Sequence, residues 1–184
     1  MSSGDAQRWD DRYTALAAAS EPGPPSAFSH LADRFPTEGA ALELACGTGQ
    51  ASVWLAQRGM IVTGLDVSPV AIERAVALAA ESGVANRCSF LAHDLDQGLP
   101  QDGSLMGLDL VLCHMFRDPA LDAELVDRLA PGGLLAIAVL SEVGAQPGRF
   151  RARPGELRDS FGDLDVLDAG ERDGRAWLLG RLLA

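Results

Sequence analysis

The sequence predicts an α/β fold with a doubly wound sheet that is mostly parallel and ends in an antiparallel hairpin. Between residues 40 and 140, short apolar runs alternate with segments of helical character, which is the order expected of strands joined by helices. The runs are apolar almost without interruption, as is typical of parallel strands covered on both faces. Near the C-terminus, two β-prone runs flank Arg172-Asp173-Gly174, and an Asp-Gly pair in such a place favours a hairpin turn.

The chain is expected to form a single core domain over residues 39–184, preceded by a helical flap over residues 1–38. A first helix is expected at 5–19. The segment at 20–26 contains three prolines and ends this helix, because proline lacks the N–H that a helix interior requires. A short second helix is expected at 27–35.

Seven strands and four helices are expected in the core. The strands are expected at 40–45, 60–65, 88–92, 108–113, 134–140, 163–171 and 175–183. The helices are expected at 50–58, 69–81, 119–130 and 154–161. Two of the helices begin with an N-cap residue followed by proline, namely Ser68-Pro69 and Asp118-Pro119, a combination that favours a helix start. Gly59 follows the first core helix at a position where glycine is favoured.

Composition limits the class of partner. The net charge of −11 at pH 7 argues against nucleic acid, because a protein that binds phosphates needs basic side chains to neutralise them. The three cysteines lie in or beside apolar runs without metal-ligand spacing, so we expect reduced, buried thiols and no metal site. The N-terminus does not resemble a signal peptide, and no apolar run approaches the roughly 20 residues that span a bilayer. A cytoplasmic protein without membrane contact is therefore expected, and its oligomeric state is not indicated.

Residues 42–49, Leu-Glu-Leu-Ala-Cys-Gly-Thr-Gly, lead from an apolar strand into a turn with two glycines. Without Cβ atoms, Gly47 and Gly49 permit a sharp turn and allow a ligand to lie against the backbone, where the following helix presents its N-terminal N–H groups. Glu43 lies inside the strand end, where a charge is unfavourable without a partner. An acid at this position favours a ligand with a positive group and hydroxyls over one with a pyrophosphate.

Polar residues also end or follow the next three strands along the chain. Asp66 ends the second strand, His93-Asp94 follow the third, and Cys113-His114 end the fourth. Because ligands bind beyond the carboxyl ends of parallel strands, these residues are expected to belong to the same site as the glycine turn. A carboxylate at Asp66 could accept hydrogen bonds from two ribose hydroxyls, and one at Asp94 could accept from an exocyclic amine.

Five segments taken in order resemble the motifs of class I S-adenosylmethionine-dependent methyltransferases. They are LELACGTG at 42–49, GLDVS at 64–68, HD at 93–94, LDLVLC at 108–113 and LAPGG at 129–133. The resemblance covers roughly residues 38–140 and implies a Rossmann-like fold. Two further segments, WDDRY at 9–13 and RPGEL at 153–157, resemble the small branch that includes tellurite-resistance and thiopurine methyltransferases.

The resemblance implies that S-adenosylmethionine is the cofactor and that the glycine turn holds its amino-acid part. Glu43 would lie near the ammonium group, and the turn at Ala45, Cys46, Gly47 and Gly49 would contact this part with its backbone. Alanine at position 45 departs from the family pattern, which has glycine there.

The same resemblance assigns the rest of the cofactor to other strand ends. Asp66 would bind both ribose hydroxyls and Val67 would pack on the adenine, while Asp94 would face the adenine amine and Leu95 would line the ring pocket. Cys113 and His114 would lie by the sulfonium and the methyl group. The motif of amino-group methylation is absent after the fourth strand, and no paired carboxylates match the metal site of catechol-type enzymes.

Several further residues have a functional and a structural interpretation. His114 could act as a general base or orient an oxyanion, or it could be a satisfied loop residue. Arg117 and Arg153 could hold an anionic substrate or could pair with the abundant acids. Trp9 and Tyr13, four residues apart on one helix face, could close over the cofactor or substrate or could pack within the flap.

The predicted function is in-line methyl transfer from S-adenosylmethionine to a sulfur, oxygen or oxyanion nucleophile of a small molecule. One alternative is a catalytically silent regulatory protein that binds the same cofactor. Another is a nicotinamide-dependent oxidoreductase, which is disfavoured because its Gly-x-Gly-x-x-Gly fingerprint would need glycine where this chain has Ser52. The antiparallel hairpin at the C-terminus also disfavours it.

Overall fold

A computed structural model describes residues 3–15, 21–101, 103–148 and 151–183. Part of the predicted first helix, residues 16–19, lies outside these ranges. The chain forms two compact units, residues 1–99 and 100–184. No helix in the described ranges has both the length and the apolar character needed to cross a bilayer.

The first unit contains three parallel strands in the order β3-β2-β1. Its strands are β1 (Ala40–Leu44), β2 (Ile61–Asp66) and β3 (Cys88–Ala92). Its α-helices are α1 (Ser3–Ala15), α2 (Gln50–Arg58) and α3 (Pro69–Glu81), and a 3-10 helix spans Ser26–Arg34. The predicted second helix is therefore present as a 3-10 helix, which ends before Pro36.

Local sequence signals set the helix ends in this unit. The Ser68 hydroxyl accepts a hydrogen bond from the Ala71 N–H at 3.1 Å, so the predicted N-cap of α3 is confirmed. Gly59 ends α2 with a φ of +120°, a conformation that favours glycine. On one face of the sheet, Phe90 packs against the helices, and Gly64 leaves room for it because a Cβ there would lie 2.7 Å from the ring.

The second unit has strands in the order β4-β5-β8-β7, with the short β6 paired to β5. Its strands are β4 (Leu108–His114), β5 (Leu129–Ser141), β6 (Arg151–Ala152), β7 (Asp165–Arg172) and β8 (Arg175–Arg181), and its α-helices are α4 (Asp122–Asp127) and α5 (Glu156–Phe161). β4 and β6 run parallel to β5, whereas β8 runs antiparallel to both β5 and β7. The predicted hairpin is confirmed, with Asp173 and Gly174 both at positive φ in its turn.

The α/β class, the mostly parallel strands and the antiparallel C-terminal strands are thus confirmed. Besides small shifts at the ends of elements, three features of the second unit differ from the sequence prediction. The helix predicted at 119–130 is a 3-10 turn at Pro119–Leu121 followed by the shorter α4. Pro131-Gly132-Gly133, expected to lie between that helix and the fifth strand, lies within β5, where the register against β4 shifts between Leu108 and Leu110. β6 was not predicted, so the described residues contain eight strands rather than seven.

Candidate functional site

The turn after β1 adopts the strained backbone that its glycines suggest. Gly47 and Gly49 have φ of +54° and +81°, and Ala45 has a φ of +51°, which is uncommon for a residue with a Cβ. A Cβ on Gly49 would lie 2.8 Å from the Cβ of Ala75 on α3. The turn therefore needs glycine at position 49 for both conformation and space.

Asp66, at the end of β2, joins this turn to the start of α3. One carboxylate oxygen accepts from the Gly47 N–H and the other from the Ser68 N–H, each at 2.9 Å. Only 4% of the residue is exposed, and burial raises the pKa of the carboxyl, although the backbone hydrogen bonds oppose this rise. The Val67 N–H is a third backbone donor to this carboxylate, which has about four lone-pair sites, so the group can still accept from one ligand hydroxyl.

Glu43 lies within β1 with 4% of its surface exposed, and it accepts a short hydrogen bond from the Ser52 hydroxyl. Burial raises the pKa of Glu43 to about 7. Sequence reasoning considered Ser52 only as a residue that breaks a glycine fingerprint and missed its bond to Glu43. A serine on the buried face of α2 was the available signal, because a buried hydroxyl needs a partner.

Helix α1 covers the glycine turn. The Tyr13 hydroxyl oxygen lies 3.0 Å from the position that a Cβ on Gly47 would occupy, and Trp9 stacks on Tyr13 with ring centroids 5.8 Å apart. The Asp10 carboxylate accepts a short hydrogen bond from the Ser68 hydroxyl. Burial and the nearby Asp66 charge raise the pKa of Tyr13 above its usual range. Tyr13 therefore lies at the glycine turn with Trp9 stacked on it, and Asp10 was not predicted.

The end of β3 is held beside the end of β2, where the His93 N–H donates to the Asp66 carbonyl at 2.8 Å. Asp94 caps a 3-10 turn (Leu95–Gln97) by accepting from the Asp96 N–H at 3.1 Å. Leu95 is buried, and Val67, next to Asp66, is half-buried. Their assigned roles at the adenine stay predictions.

The predicted reactive residues lie at the end of β4 in the second unit. Cys113 is buried, and its Sγ donates to the Phe116 carbonyl at 3.2 Å. His114 is half-buried, and burial together with the charge of Arg175 lowers the pKa of its imidazole. Met115 follows with a φ of +65°, so the backbone is strained next to the candidate base.

The two arginines proposed for an anionic substrate have different environments. Arg117 is buried and binds the Asp122 carboxylate through two nitrogens, at 2.5 and 2.8 Å, and Glu156 at 2.9 Å. Arg153 is largely exposed, with its Nε 3.5 Å from Glu156. Arg117 thus forms ion pairs with acidic residues of its own chain, as its structural interpretation expects. A role of Arg117 or Arg153 in substrate binding stays a prediction.

Comparison with known proteins gives one match to a protein family. The sequence model of the family described as "Methyltransferase domain" matches residues 41–133. These residues include the glycine turn, Asp66 and the end of β4.

Two curated relatives and one solved structure illustrate the similarity to individual proteins. A probable tocopherol O-methyltransferase, chloroplastic, of Oryza sativa subsp. japonica is 34% identical over 63% of this chain and 33% of its own length. A 2-heptyl-1-hydroxyquinolin-4(1H)-one methyltransferase of Mycobacteroides abscessus is 28% identical over 64% of this chain and 53% of its own. This chain therefore matches only about a third to a half of these relatives. The crystal structure of TehB from Haemophilus influenzae has a TM-score of 0.73 at 18% identity, covering 96% of this chain and 66% of that one, and it shows the fold.

Proposed function

The chain belongs to the methyltransferase domain family of class I S-adenosylmethionine-dependent methyltransferases, and from this membership we propose that it transfers a methyl group from S-adenosylmethionine to a small-molecule acceptor. The observation that carries the proposal is the bond between the Asp66 carboxylate and the Gly47 N–H. This bond holds a buried carboxylate against the backbone of the turn, where Gly47 has no Cβ and the Tyr13 hydroxyl covers it. The resemblance noted in the sequence assigned these two features to the ribose and to the amino-acid part of one cofactor.

The charged and aromatic side chains of the first unit fit such a cofactor. The cofactor carries a positive ammonium group, and Glu43 is a buried carboxyl whose pKa of about 7 would fall beside a cation. Binding is therefore expected to release a proton from Glu43 at neutral pH. Tyr13 and Trp9 supply aromatic cover over the turn, and a covered site excludes water.

When bound, the cofactor supplies an electrophilic methyl group, so the chain itself must mainly position the acceptor and remove its proton. His114 supports the second role because its lowered pKa keeps the imidazole neutral near pH 7, where one ring nitrogen can accept a proton. A thiolate acceptor would not need this help, whereas a hydroxyl acceptor would.

A small-molecule acceptor is supported by the charge of −11, which disfavours a nucleic acid substrate. The names of the two relatives point in the same direction, since they specify tocopherol and 2-heptyl-1-hydroxyquinolin-4(1H)-one, which are both small molecules. An oxygen nucleophile on an apolar ring compound is the acceptor that we propose to test first. This choice follows the tocopherol relative, which is named as an O-methyltransferase.

Isothermal titration calorimetry with S-adenosylmethionine, its demethylated product and NAD tests the proposal. We expect the first two to bind and NAD not to bind. Asp66→Ala should abolish binding, whereas His114→Ala should leave it unchanged and lower turnover. Asp118→Ala is the matched control, because Asp118 also accepts a backbone N–H after a strand end but has no assigned role at the cofactor. Unchanged affinity in Asp66→Ala would refute the site.

A further inference from the structure

Strand β3 presents an unprotected edge. It pairs only with β2 among the strands of the described ranges. Its sequence, Cys-Ser-Phe-Leu-Ala, contains no proline and no charge, and its register with β2 is free of bulges. Exposed edges of this kind pair with further strands, so proteins usually interrupt them with charges, prolines or bulges.

The edge strand of the second unit, β7, has those protective features. Its register against β8 shifts between Val166 and Asp168, which marks an irregularity. It also carries charges at Asp165, Asp168, Glu171 and Arg172. The lack of protection at β3 is therefore not a general property of this chain.

One face of the sheet beside this edge carries two exposed apolar side chains. Leu91 on β3 is 49% exposed, and Ile61, on the same face of β2, is 52% exposed. The opposite face is covered, because Cys88 and Phe90 pack against residues of α2 and α3. After β3, the chain returns to β4 through two 3-10 turns, and no α-helix lies in the described residues of this connection.

We propose that β3 is a dimerisation edge, at which two copies of the chain pair their β3 strands antiparallel about a two-fold axis. The His93 N–H points to β2, so by alternation Cys88, Phe90 and Ala92 direct their backbone N–H and C=O groups outward. An axis at Phe90 pairs Phe90 with Phe90 of the second copy and Cys88 with Ala92 of the second copy. This arrangement satisfies every outward group of the strand.

Charge complementarity favours a second copy of the chain as the partner and an antiparallel pairing of the two strands. Arg87 immediately precedes β3, and Asp94 and Asp96 follow it. In an antiparallel pair, the start of one strand lies beside the end of the other. Arg87, one nitrogen of which donates to the Gly59 carbonyl at 2.8 Å, would then lie beside the acidic residues of the second copy. Two five-residue strands bury less than the roughly 800 Å² per partner of a typical stable complex, so we expect a weak dimer that dissociates on dilution.

Sedimentation velocity of the full chain over a concentration series tests this interface. Wild-type protein should pass from monomer to dimer as its concentration rises. Leu91→Lys should weaken the dimer at least about tenfold, because lysine on an edge strand blocks pairing. Val76→Lys, a change at an equally exposed apolar residue on α3, should leave the dimer intact. Ser89→Lys provides a second change on the strand if Leu91→Lys fails to fold.

Charge exchange tests the direction of pairing. Arg87→Glu should weaken the dimer, and adding Asp96→Arg to it should restore the dimer, because the exchanged charges again attract across the axis. A wild-type protein that stays monomeric at the highest concentration overturns the proposal. This holds even if a different protein is found to bind the β3 edge. A dimer that both lysine variants leave unchanged also overturns it.

Discussion

Ser52 on α2 donates its hydroxyl hydrogen to the carboxylate of Glu43 on β1, and both side chains are buried. Burial raises the pKa of Glu43 to about 7, while the bond from Ser52 opposes this rise by favouring the charged form. The carboxyl is therefore divided between its protonated and charged forms near neutral pH. A cation placed beside it would stabilise the charged form.

Removal of the hydroxyl is expected to destabilise the protein. Ser52→Ala leaves a buried carboxyl without its side-chain partner, which typically costs about 1–3 kcal/mol. Urea unfolding at pH 7 measures the difference. Ser29→Ala is the control, because the Ser29 hydroxyl bonds a backbone carbonyl on the exposed surface and its loss should change the free energy of unfolding by less than about 0.5 kcal/mol. Equal effects of the two changes would contradict the role of Ser52.

The raised pKa of Glu43 also predicts how stability depends on pH. Its ordinary value is 4.5, so between that value and about 7 the native state holds a proton that the unfolded state has released. The contribution of Glu43 to the free energy of unfolding is therefore fully present at low pH and falls as pH rises through this window. The fall amounts to up to about 3 kcal/mol, at about 1.4 kcal/mol per pKa unit. Above pH 7 the contribution levels off.

The comparison with Glu43→Gln isolates this effect from other titrating groups. Glutamine keeps an acceptor for Ser52 but does not titrate. The difference in unfolding free energy between wild type and Glu43→Gln should change between pH 5 and pH 7.5, with wild type losing stability relative to the variant. A difference that stays constant with pH would show that Glu43 does not titrate in this range.

The fold could be predicted well where local signals and burial agree. The bounds of α2 and β3 match the prediction, because a glycine turn and Gly59 bracket the helix and an apolar run defines the strand. β6 could not be predicted, because two residues carry no periodicity and their pairing depends on the distant Leu140 and Ser141. The extension of β5 through a proline and two glycines is likewise set by its neighbours, since Gly132 and Gly133 bond Leu182.

The candidate site was predictable as a set of strand-end positions but not as a set of contacts. The spacing of the motifs placed Asp66 beside the glycine turn, and the bond to Gly47 agrees with that expectation. The partners of Arg117 could not be read from the sequence, because Glu156 is 39 residues away and many acids compete for each arginine. The bond from Ser68 to Asp10 was missed for the same reason, since the two lie 58 residues apart.

The alanine that replaces the family's glycine at position 45 is expected to weaken the fold. Ala45 has a φ of +51°, and a left-handed conformation costs a residue with a Cβ about 1–2 kcal/mol. Ala45→Gly removes this strain but adds about 0.5–1 kcal/mol of backbone entropy loss on folding, so a net gain of roughly 0.5–1 kcal/mol is expected. Ala41→Gly on β1, the strand before this turn, is the control. It should destabilise, because Ala41 is buried on an extended strand and only loses its methyl group.

The last prediction concerns His114 as the base of methyl transfer. Burial and then the charge of Arg175 lower the pKa of the imidazole, so kcat/KM for a hydroxyl acceptor should fall with decreasing pH only below 6.5. Arg175→Gln removes the second cause and should move this acidic limb to higher pH, while Arg172→Gln on the same hairpin should not move it.

His114→Ala should lower kcat by about 10²–10⁴-fold with cofactor affinity unchanged. Proton NMR of the imidazole gives the pKa independently of turnover, with the resonance assigned by its loss in His114→Asn. An acidic limb that persists in His114→Ala would exclude this residue as the base and leave His114 as a structural residue at the end of β4.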